Sequence, residues 1–373
     1  MSVTFEWLEH PLQPGIEQGI TSLWSRTNLV DESEQRQRLS EVVAVAMVKE
    51  EVIAVCSRVT RVFQPINRPL HYLRAMTAPE HHRKGVSLVL TGFVTHQLES
   101  QFNRGQDVEC IGVWAAIQAD YVDRLEVAQC YFHAPATMEG EHPQRFDLID
   151  LSKNNKTGRV TPHLVHYFER ASLFQQGPTT SRSPVQVSRE ARILAVDKLL
   201  NDSDPYRLEY CYGRMEGHQS KAVTDLWLQH GVLPDLTACA ERLPSVAALA
   251  WSGDQLIGIG SVFSSAYEPL KSNLLGYRSF VSPEARGSAT ATALMKLVVK
   301  NLNNAYQTGK LRGLPGIAIV LQNDKLNTNV ASPIGETIRT VLMGYLNGAQ
   351  VRIVYFDGAT IPMPSRSSRL SGQ

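Results

Sequence analysis

The sequence lacks the features that define several protein classes. It has no CxxC pair, and its five cysteines are odd in number and widely separated, which argues against a disulfide framework and a zinc knuckle. No run of eighteen apolar residues occurs, and the start MSVTFEWLEHPLQPG lacks the basic and apolar segments of a secretory signal. We therefore expect a soluble, cytoplasmic protein with no membrane partner, whose cysteines are mostly small buried apolar residues.

The chain also lacks an excess of charge of either sign. Lys and Arg number 37 against 36 Asp and Glu, a formal net charge of +1, so no global field attracts nucleic acid or an anionic surface. There is neither a basic face nor an aromatic array, and we expect no nucleic-acid partner. With 373 residues, 43% of them apolar, the chain is long enough for two domains with separate cores.

A long-range repeat links the two halves. Thr21, Leu23 and Trp24 match residues 203 positions later, and after a one-residue gap the offset becomes 204. The matched pairs at 204 include Val42/Val246, Ala44/Ala248, Arg74/Arg278, Pro79/Pro283, Glu80/Glu284, Leu90/Leu294, Val94/Val298, Leu98/Leu302 and Gly112/Gly316. One register kept over so many loops predicts a tandem duplication.

Each copy is predicted to run as strand, helix, two hairpin strands, strand, long helix, strand and late helix, a mixed α/β order. The hairpin turns are expected near residues 49–51 and 252–254. The segment HLVHYFER is predicted to be a helix, on which His163 and His166 form either a surface pair or, less favoured, a metal pair. The domain limits expected are 1–174 and 206–360, with a linker and connecting helix at 175–205 and a disordered tail at 361–373.

One loop carries a chemical signal. In LRAMTAPEHHRKGVSLV a strand precedes a turn, then residues 83–87, and then an amphipathic helix. A helix N-terminus presents unpaired N–H groups that can bind phosphate oxygens, and Gly85 lets a ligand approach the backbone. His82, Arg83 and Lys84 add cationic donors, and Ser87 is small. The alternative is a basic, solvated turn before an ordinary helix.

These residues resemble the signature of the GNAT superfamily of acyl-CoA-dependent N-acyltransferases, Q/R-x-x-G-x-G/A between the fourth strand and the following helix. The first copy has His82, Arg83, Lys84, Gly85, Val86 and Ser87 at this place, and the second has Arg286, Gly287, Ser288, Ala289, Thr290 and Ala291. The first copy keeps the central Gly but not the ends of the signature. The second keeps the leading Arg and the final Ala but has Ala289 at the central position. The resemblance covers residues 3–150 and 206–357.

The resemblance implies that each copy has a twisted, mostly antiparallel sheet, flanked by helices and splayed between its fourth and fifth strands. The fourth strands would be residues 71–77 and 276–281, with backbone groups of Met76, Thr77 and Val281 facing the pantetheine arm. The fifth strands would be residues 110–117 and 315–321. Asn323 would lie where the family often has an Asn that contacts CoA, although a loop cap is an equal alternative.

The resemblance also implies a reaction, the transfer of an acyl group from acetyl-CoA or another acyl-CoA to an amine by direct attack in a ternary complex, without a metal. Candidates for the acid that protonates sulfur are Tyr121, Tyr131 and Tyr345, each of which could instead be a packing residue. Glu80 is a candidate base, although the commoner role of a Glu just before a helix is to cap or charge-pair that turn. We favour the first copy for cofactor binding because Ala289 adds a methyl group where the loop should be bare.

We expect the acceptor to be a primary amine of a small molecule. One alternative is a protein or peptide amine, and another is a non-catalytic acyl-CoA-binding or scaffold protein with degenerate copies. The chain could form a homodimer, or the tandem copies could suffice as a pseudo-dimer.

Overall fold

A computed structural model of the chain describes residues 2–28, 30–117, 128–135, 143–153, 160–174, 206–286, 289–322, 330–335 and 337–361. The chain divides into two compact units, of which the first carries eight strands and the second seven. The predicted linker at 175–205 lies outside the described residues. The disordered tail was predicted at 361–373. Residues 362–373 also lie outside the described residues, whereas Ile361 is described and is fully buried.

The N-terminal unit is a mixed sheet with helices. Its elements are β1 (Thr4–Trp7), α1 (Pro14–Thr27), α2 (Glu32–Glu41), β2 (Val42–Val48), β3 (Glu51–Phe63), β4 (Arg68–Thr77), a 3-10 turn (Pro79–His81), α3 (Val86–Asn103), β5 (Gly112–Ala116), β6 (Gln129–Phe132), β7 (Gln144–Lys153) and β8 (Val160–Tyr167). The strand order is β1-β2-β3-β4-β5-β8-β7-β6. Helix α2 was not expected from the sequence because it buries no residue and therefore has no apolar period.

The C-terminal unit repeats this plan. Its elements are β9 (Tyr206–Tyr210), α4 (Gly217–Gln229), α5 (Leu236–Arg242), β10 (Val246–Ser252), β11 (Gln255–Tyr267), β12 (Ser272–Val281), a 3-10 turn (Pro283–Ala285), α6 (Thr290–Gln307), β13 (Gly316–Val320), β14 (Val341–Leu346) and β15 (Ala349–Tyr355). The order β9-β10-β11-β12-β13-β15-β14 matches the first sheet except for the extra edge strand β6. The predicted fold class, a duplicated mixed α/β unit, is confirmed.

Both sheets split at the same place. All strand pairs are antiparallel except β4 with β5 and β12 with β13. Strand β4 pairs with β5 only at residues 71–73, although it continues to Thr77, and β12 pairs with β13 only at residues 275–277, although it continues to Val281. Among the described residues the remaining parts of β4 and β12 have no strand partner on that side. This is the expected splay, and both fourth strands begin earlier than predicted.

The two faces of the N-terminal sheet carry different helices. Helix α1 buries Leu23 and Trp24 in a core that includes the side chain of Met76. Helix α3 packs on the other face, where Phe102 contacts Phe168 at 5.2 Å between ring centroids. Since alternate residues of a strand point to opposite faces, the even-numbered residues of β4 belong to the α1 face and the odd-numbered ones to the α3 face. The buried stripe predicted for α3 is confirmed, since Leu90, Val94 and Leu98 are fully buried.

The prediction of a helix at HLVHYFER is wrong. Residues 160–167 form β8, which lies between β5 and β7. His163 and His166 are three apart, so on a strand they point to opposite faces and form neither a metal pair nor a surface pair. His166 is buried, and its Nε2 lies 3.3 Å from a Glu99 carboxylate oxygen. In the described part of the chain no three His, Cys, Asp or Glu side chains are grouped as metal ligands.

Two expectations about composition can be compared with the fold. All five cysteines are unpaired and buried, as predicted, and burial raises the pKa of the Cys56 thiol to about 12. Over the ranges described, no helix has the length and apolarity needed to cross a bilayer.

Candidate functional site

The loop between β4 and α3 leaves the start of the helix bare. Arg83 and Gly85 both have left-handed backbone conformations, with φ of 63° and 77°, and Gly85 is the N-cap of α3 without any side-chain cap. A Cβ placed on Gly85 would have no neighbour within 4 Å, so this position faces open space. The first N–H groups of an α-helix have no partners within the helix. Those of residues 85–87 are therefore accessible to an anionic ligand.

The first residue of each signature has a structural role. The Nε2 of His82 lies 2.8 Å from the carbonyl oxygen of Thr77, and since a carbonyl only accepts, Nε2 carries the proton and donates. In the second copy the Nε of Arg286 donates to the carbonyl of Val281 at 3.3 Å. These are the same two positions, 204 residues apart. Both side chains fasten the loop to the end of the fourth strand, so His82 is not the free phosphate donor that the sequence predicted.

The remaining cations of the loop are exposed. Arg83 and Lys84 point into solvent, and no ion pair joins either of them to a carboxylate within the described ranges. Glu80 is exposed and lies 3.7 Å from Arg26, a distance at which a solvated pair contributes little stability. The side chain of Val86 is buried, so this residue can offer a ligand only its backbone N–H. The structure thus brings together Arg83, Lys84, Gly85, Ser87 and the amide of Val86.

The hydrogen-bonding pattern between β3 and β4 determines which backbone groups of β4 face the gap between β4 and β5. The N–H of Ala78 donates to the Ile53 carbonyl of β3 at 2.8 Å. Because the direction of N–H groups alternates along a strand, the backbone of Met76 also faces β3, whereas those of Ala75 and Thr77 face the gap. The prediction that Met76 presents backbone groups to the gap is therefore wrong, and Ala75 takes that place. The buried hydroxyl of Thr77 has no hydrogen-bond partner among the described residues.

A group of polar and aromatic side chains lies on the α1 face where the gap begins. We call Tyr72, Trp114, His163 and Ser152 the apex cluster. The rings of Tyr72 and Trp114 are 4.7 Å apart, and these residues are register partners one pair before the last paired residues of β4 and β5. The Nε1 of Trp114 donates to Nδ1 of His163 at 3.1 Å, and Nε2 of His163 lies 2.6 Å from the Ser152 hydroxyl.

The hydrogen bonds fix the tautomer of His163. An indole N–H only donates, so Nδ1 must accept and the proton of the neutral ring is on Nε2, which donates to Ser152. Burial lowers the pKa of His163, and the carboxylate of Asp150 opposes this effect only partly. The imidazole is therefore held neutral. On the opposite side of the gap, Arg74 of β4 is paired with Glu41 at the end of α2, which neutralises its charge.

The C-terminal unit lacks this cluster. By the 204-residue offset and the strand registers, Tyr72, Trp114 and His163 correspond to Gly276, Ala318 and Val351. A Cβ on Gly276 would lie 2.5 Å from the ring of Phe263, and Arg278 stacks on that ring at 4.4 Å. An aromatic side chain therefore fills the corresponding space in the second copy.

The second loop also differs at the helix start. Ala289 caps α6 with φ of −76°, an ordinary conformation, in contrast to the left-handed Gly85. Thr290 is buried and Ala291 is half-buried. Gly287, Ser288 and Asn323 lie outside the described residues.

Of the predicted catalytic residues that the structure describes, none lies beside the apex cluster. Tyr131 is exposed on the edge strand β6, separated from β5 by β7 and β8. Tyr345 is exposed on the edge strand β14, separated from β13 by β15. Glu80 lies in the turn next to the helix start, and Tyr121 is outside the described residues. The apex cluster was missed, although the exchange of Tyr72 and Trp114 for Gly276 and Ala318 between the copies was a signal in the sequence.

No protein-family model matches the chain, and no curated protein matches its sequence. In structure it is similar to a GNAT superfamily phosphinothricin acetyltransferase from Sinorhizobium meliloti, in complex with AcCoA (TM-score 0.33, 14% identity, 49% of this chain and 97% of that chain). It is also similar to a GNAT family acetyltransferase from Streptococcus pneumoniae (TM-score 0.30, 7% identity, 45% and 99%). A third similar structure is the ribosomal-protein-S18-alanine N-acetyltransferase from Escherichia coli (TM-score 0.29, 12% identity, 47% and 99%). Each covers about half of this chain.

Proposed function

We propose that the protein is an acyl-CoA-dependent N-acyltransferase whose N-terminal unit transfers an acetyl group to the primary amine of a small molecule. The observation that carries the proposal is the continuity of two features in this unit. The unpaired edge of β4 begins at the apex cluster and ends at the bare start of α3. A ligand with an anionic end and an extended amide-containing arm fits such a path.

The residues present fit acetyl-CoA as the co-substrate. The N–H groups of residues 85–87, with Arg83 and Lys84, suit the pyrophosphate, because helix N-termini and cationic side chains both favour phosphate oxygens. The N–H and C=O groups of Ala75 and the N–H of Thr77 face the gap and can pair with the amides of the pantetheine arm, whereas the Thr77 carbonyl already accepts from His82. From Thr77 back to Leu73 the strand rises about 13 Å, at roughly 3.3 Å per residue, so an arm along this edge would end at the apex cluster.

The reaction there is an aminolysis of a thioester. The neutral amine attacks the carbonyl carbon, the C–N bond forms and the C–S bond breaks, and the proton lost by the amine balances the one that the thiolate gains. Holding both reactants at the apex supplies orientation. Of the N–H groups that face the gap, that of Ala75 is nearest the apex and would donate to the oxyanion. Glu80 lies at the other end of the gap, and Tyr121 stays a prediction for the acid.

The C-terminal unit is assigned no transfer reaction in this proposal. Phe263 occupies the space that corresponds to the apex cluster, and Ala289 carries a Cβ where Gly85 has none. The copies differ in this way because, in our proposal, only the N-terminal unit carries out the transfer reaction.

The proposal is tested by titrating the full-length protein with acetyl-CoA in a calorimeter and by measuring thiol release from acetyl-CoA with a set of amines. We expect binding with one site per chain and amine-dependent thiol release. Stabilisation by acetyl-CoA without thiol release for any amine would instead favour the non-catalytic alternative. Absence of binding at millimolar acetyl-CoA would refute the proposal.

A further inference from the structure

The apex cluster is present in only one of the two copies of the fold. The two units share strand order, the split and the fastened loop, yet three side chains on three different strands, Tyr72, Trp114 and His163, have no counterpart in the second unit. They lie together in the first unit. The sheet does not need these side chains in order to fold, since the second sheet forms without them, and a role in ligand binding accounts for their presence at the mouth of the split.

The cluster has an aromatic floor made of two tilted rings. The rings of Tyr72 and Trp114 meet at 4.7 Å and 47°, and Phe63 supports Trp114 at 5.1 Å. Phe63 is buried, whereas Tyr72 and Trp114 are only half-buried, so part of their surface is available to a ligand. Aromatic rings attract other flat apolar groups in offset or tilted contacts.

Two successive hydrogen bonds fix the orientation of the Trp114 ring. His163 accepts the indole N–H at 3.1 Å and is itself bound to Ser152 at 2.6 Å. This arrangement needs the neutral imidazole, because a protonated Nδ1 would oppose the indole N–H. The cations around the floor disfavour a second cation on the Tyr72 ring, whereas the carboxylate of Asp150 acts on His163 at the other end of the cluster. Arg61 stacks on Tyr72 at 4.9 Å, and Arg74 is neutralised by Glu41.

We infer that the apex cluster is the acceptor subsite, that it takes a primary amine attached to a flat, apolar body, and that His163 is the residue that positions Trp114. The inference rests on the proposed function, which it deepens by naming the acceptor class. The amine enters uncharged or loses its proton on binding, because Arg61 lies on the same floor.

The experiment uses two probes of similar size that carry the same primary amine, 2-phenylethylamine and 2-cyclohexylethylamine; only the first has a flat ring, and the second is the more apolar, so tighter binding of the first cannot come from hydrophobicity. Binding of each probe to the full-length protein saturated with CoA is measured by calorimetry, and turnover is measured by thiol release from acetyl-CoA. We expect the flat amine to bind about tenfold more tightly and to have a correspondingly lower KM. Equal affinities for the two probes would overturn the inference.

Variants separate positioning from folding. His163→Val, which introduces the residue of the second unit, should raise the KM for 2-phenylethylamine about tenfold and leave the dissociation constant of acetyl-CoA unchanged. His163→Gln can accept from Trp114 through its oxygen and donate to Ser152 through its nitrogen, and should restore the KM to within about threefold. Trp114→Phe should raise the KM about threefold. The matched control is Trp251→Phe, which removes a buried indole that donates to Glu209 at 2.9 Å in the other unit and should leave the KM unchanged.

The outcomes also distinguish this inference from the proposed function. Selective binding of the flat amine that is lost in His163→Val, without thiol release for any amine, would support the subsite as a binding site and refute the transferase. Thiol release with the same KM for the flat and the non-flat amine would support the transferase and refute the subsite. So would thiol release with a KM for 2-phenylethylamine that His163→Val does not change.

Discussion

Replacing Gly85 with tryptophan should weaken acetyl-CoA binding at least about a hundredfold while the N-terminal unit stays folded. The stability change follows from the backbone. Gly85 has φ of 77°, a conformation that is unfavourable by about 1–2 kcal/mol for a residue with a Cβ. No atom lies within 4 Å of the added Cβ, so the Cβ itself adds no steric clash to this loss. A unit of this size should lose roughly 2–8 °C in Tm.

The loss of affinity should be much larger. An indole at the N-cap covers the N–H groups of residues 85–87. A hydrogen bond to a charged group contributes about 1.5–3 kcal/mol, so losing two bonds to phosphate oxygens weakens binding by at least about 3 kcal/mol. This free energy corresponds to roughly a hundredfold increase in Kd.

Calorimetric titration with acetyl-CoA measures the affinity, and thermal unfolding checks the fold. Gly85→Ala supplies the backbone effect alone and should show a similar loss of stability with a smaller loss of affinity. Ala289→Trp is the matched control in the second unit, where φ is −76° and no strain arises, and its affinity should equal that of the wild type. Wild-type affinity in Gly85→Trp, or loss of binding in Ala289→Trp alone, would refute the assignment of the cofactor to the first loop.

Three further predictions concern stability and the loop. Gly112→Ala and Gly316→Ala each place a Cβ 2.4 Å from a backbone oxygen of the neighbouring strand, so each should lower the free energy of unfolding by about 1–3 kcal/mol in urea titrations, and unchanged midpoints would contradict the close packing. Burial lowers the pKa of His71 to about 4, so the neutral form is favoured in the folded state. The free energy of unfolding should therefore fall by up to about 3 kcal/mol as the pH drops from 6.5 to 4. His71→Leu, the residue of the second unit, should abolish that part of the pH dependence of urea unfolding, and an unaltered slope would show that other groups cause it. His82→Ala removes the bond to the Thr77 carbonyl and should weaken acetyl-CoA binding in calorimetry by about three- to tenfold, whereas full affinity would mean that the loop keeps its shape without this bond.

Much of the fold was predictable because it depends on local patterns and on the repeat. The constant 204-residue offset predicted the duplication, and the spacing of Leu90, Val94 and Leu98 predicted the buried stripe of α3. Helix α2 could not be predicted in this way because it has no buried face. The segment at 163–170 was misassigned because HLVHY is a short apolar run that fits either a helix or a strand, and only pairing with β5 and β7 decides between them.

The site was predictable only in part. The signature indicated the bare loop at Gly85, and its left-handed conformation agrees with a position where Gly is favoured. The same signature suggested His82 as a phosphate donor, but the distance from its ring to the Thr77 carbonyl depends on how the loop folds back on the strand. Met76 was assigned to the gap in place of Ala75 because the phase of hydrogen bonding with β3 is not encoded in the residues of β4 alone.

The sequence by itself determined the duplication, the order of most elements and the place where a helix begins without a cap. These are properties of neighbouring residues or of a constant offset, and no contact between distant strands is needed to see them. The tertiary structure decided which backbone groups face the split, and it joined Tyr72, Trp114 and His163 into one cluster in the first unit only. The physical reason is that side chains from different strands meet according to the register of the sheet, and a shift of one residue would turn each of them to the opposite face.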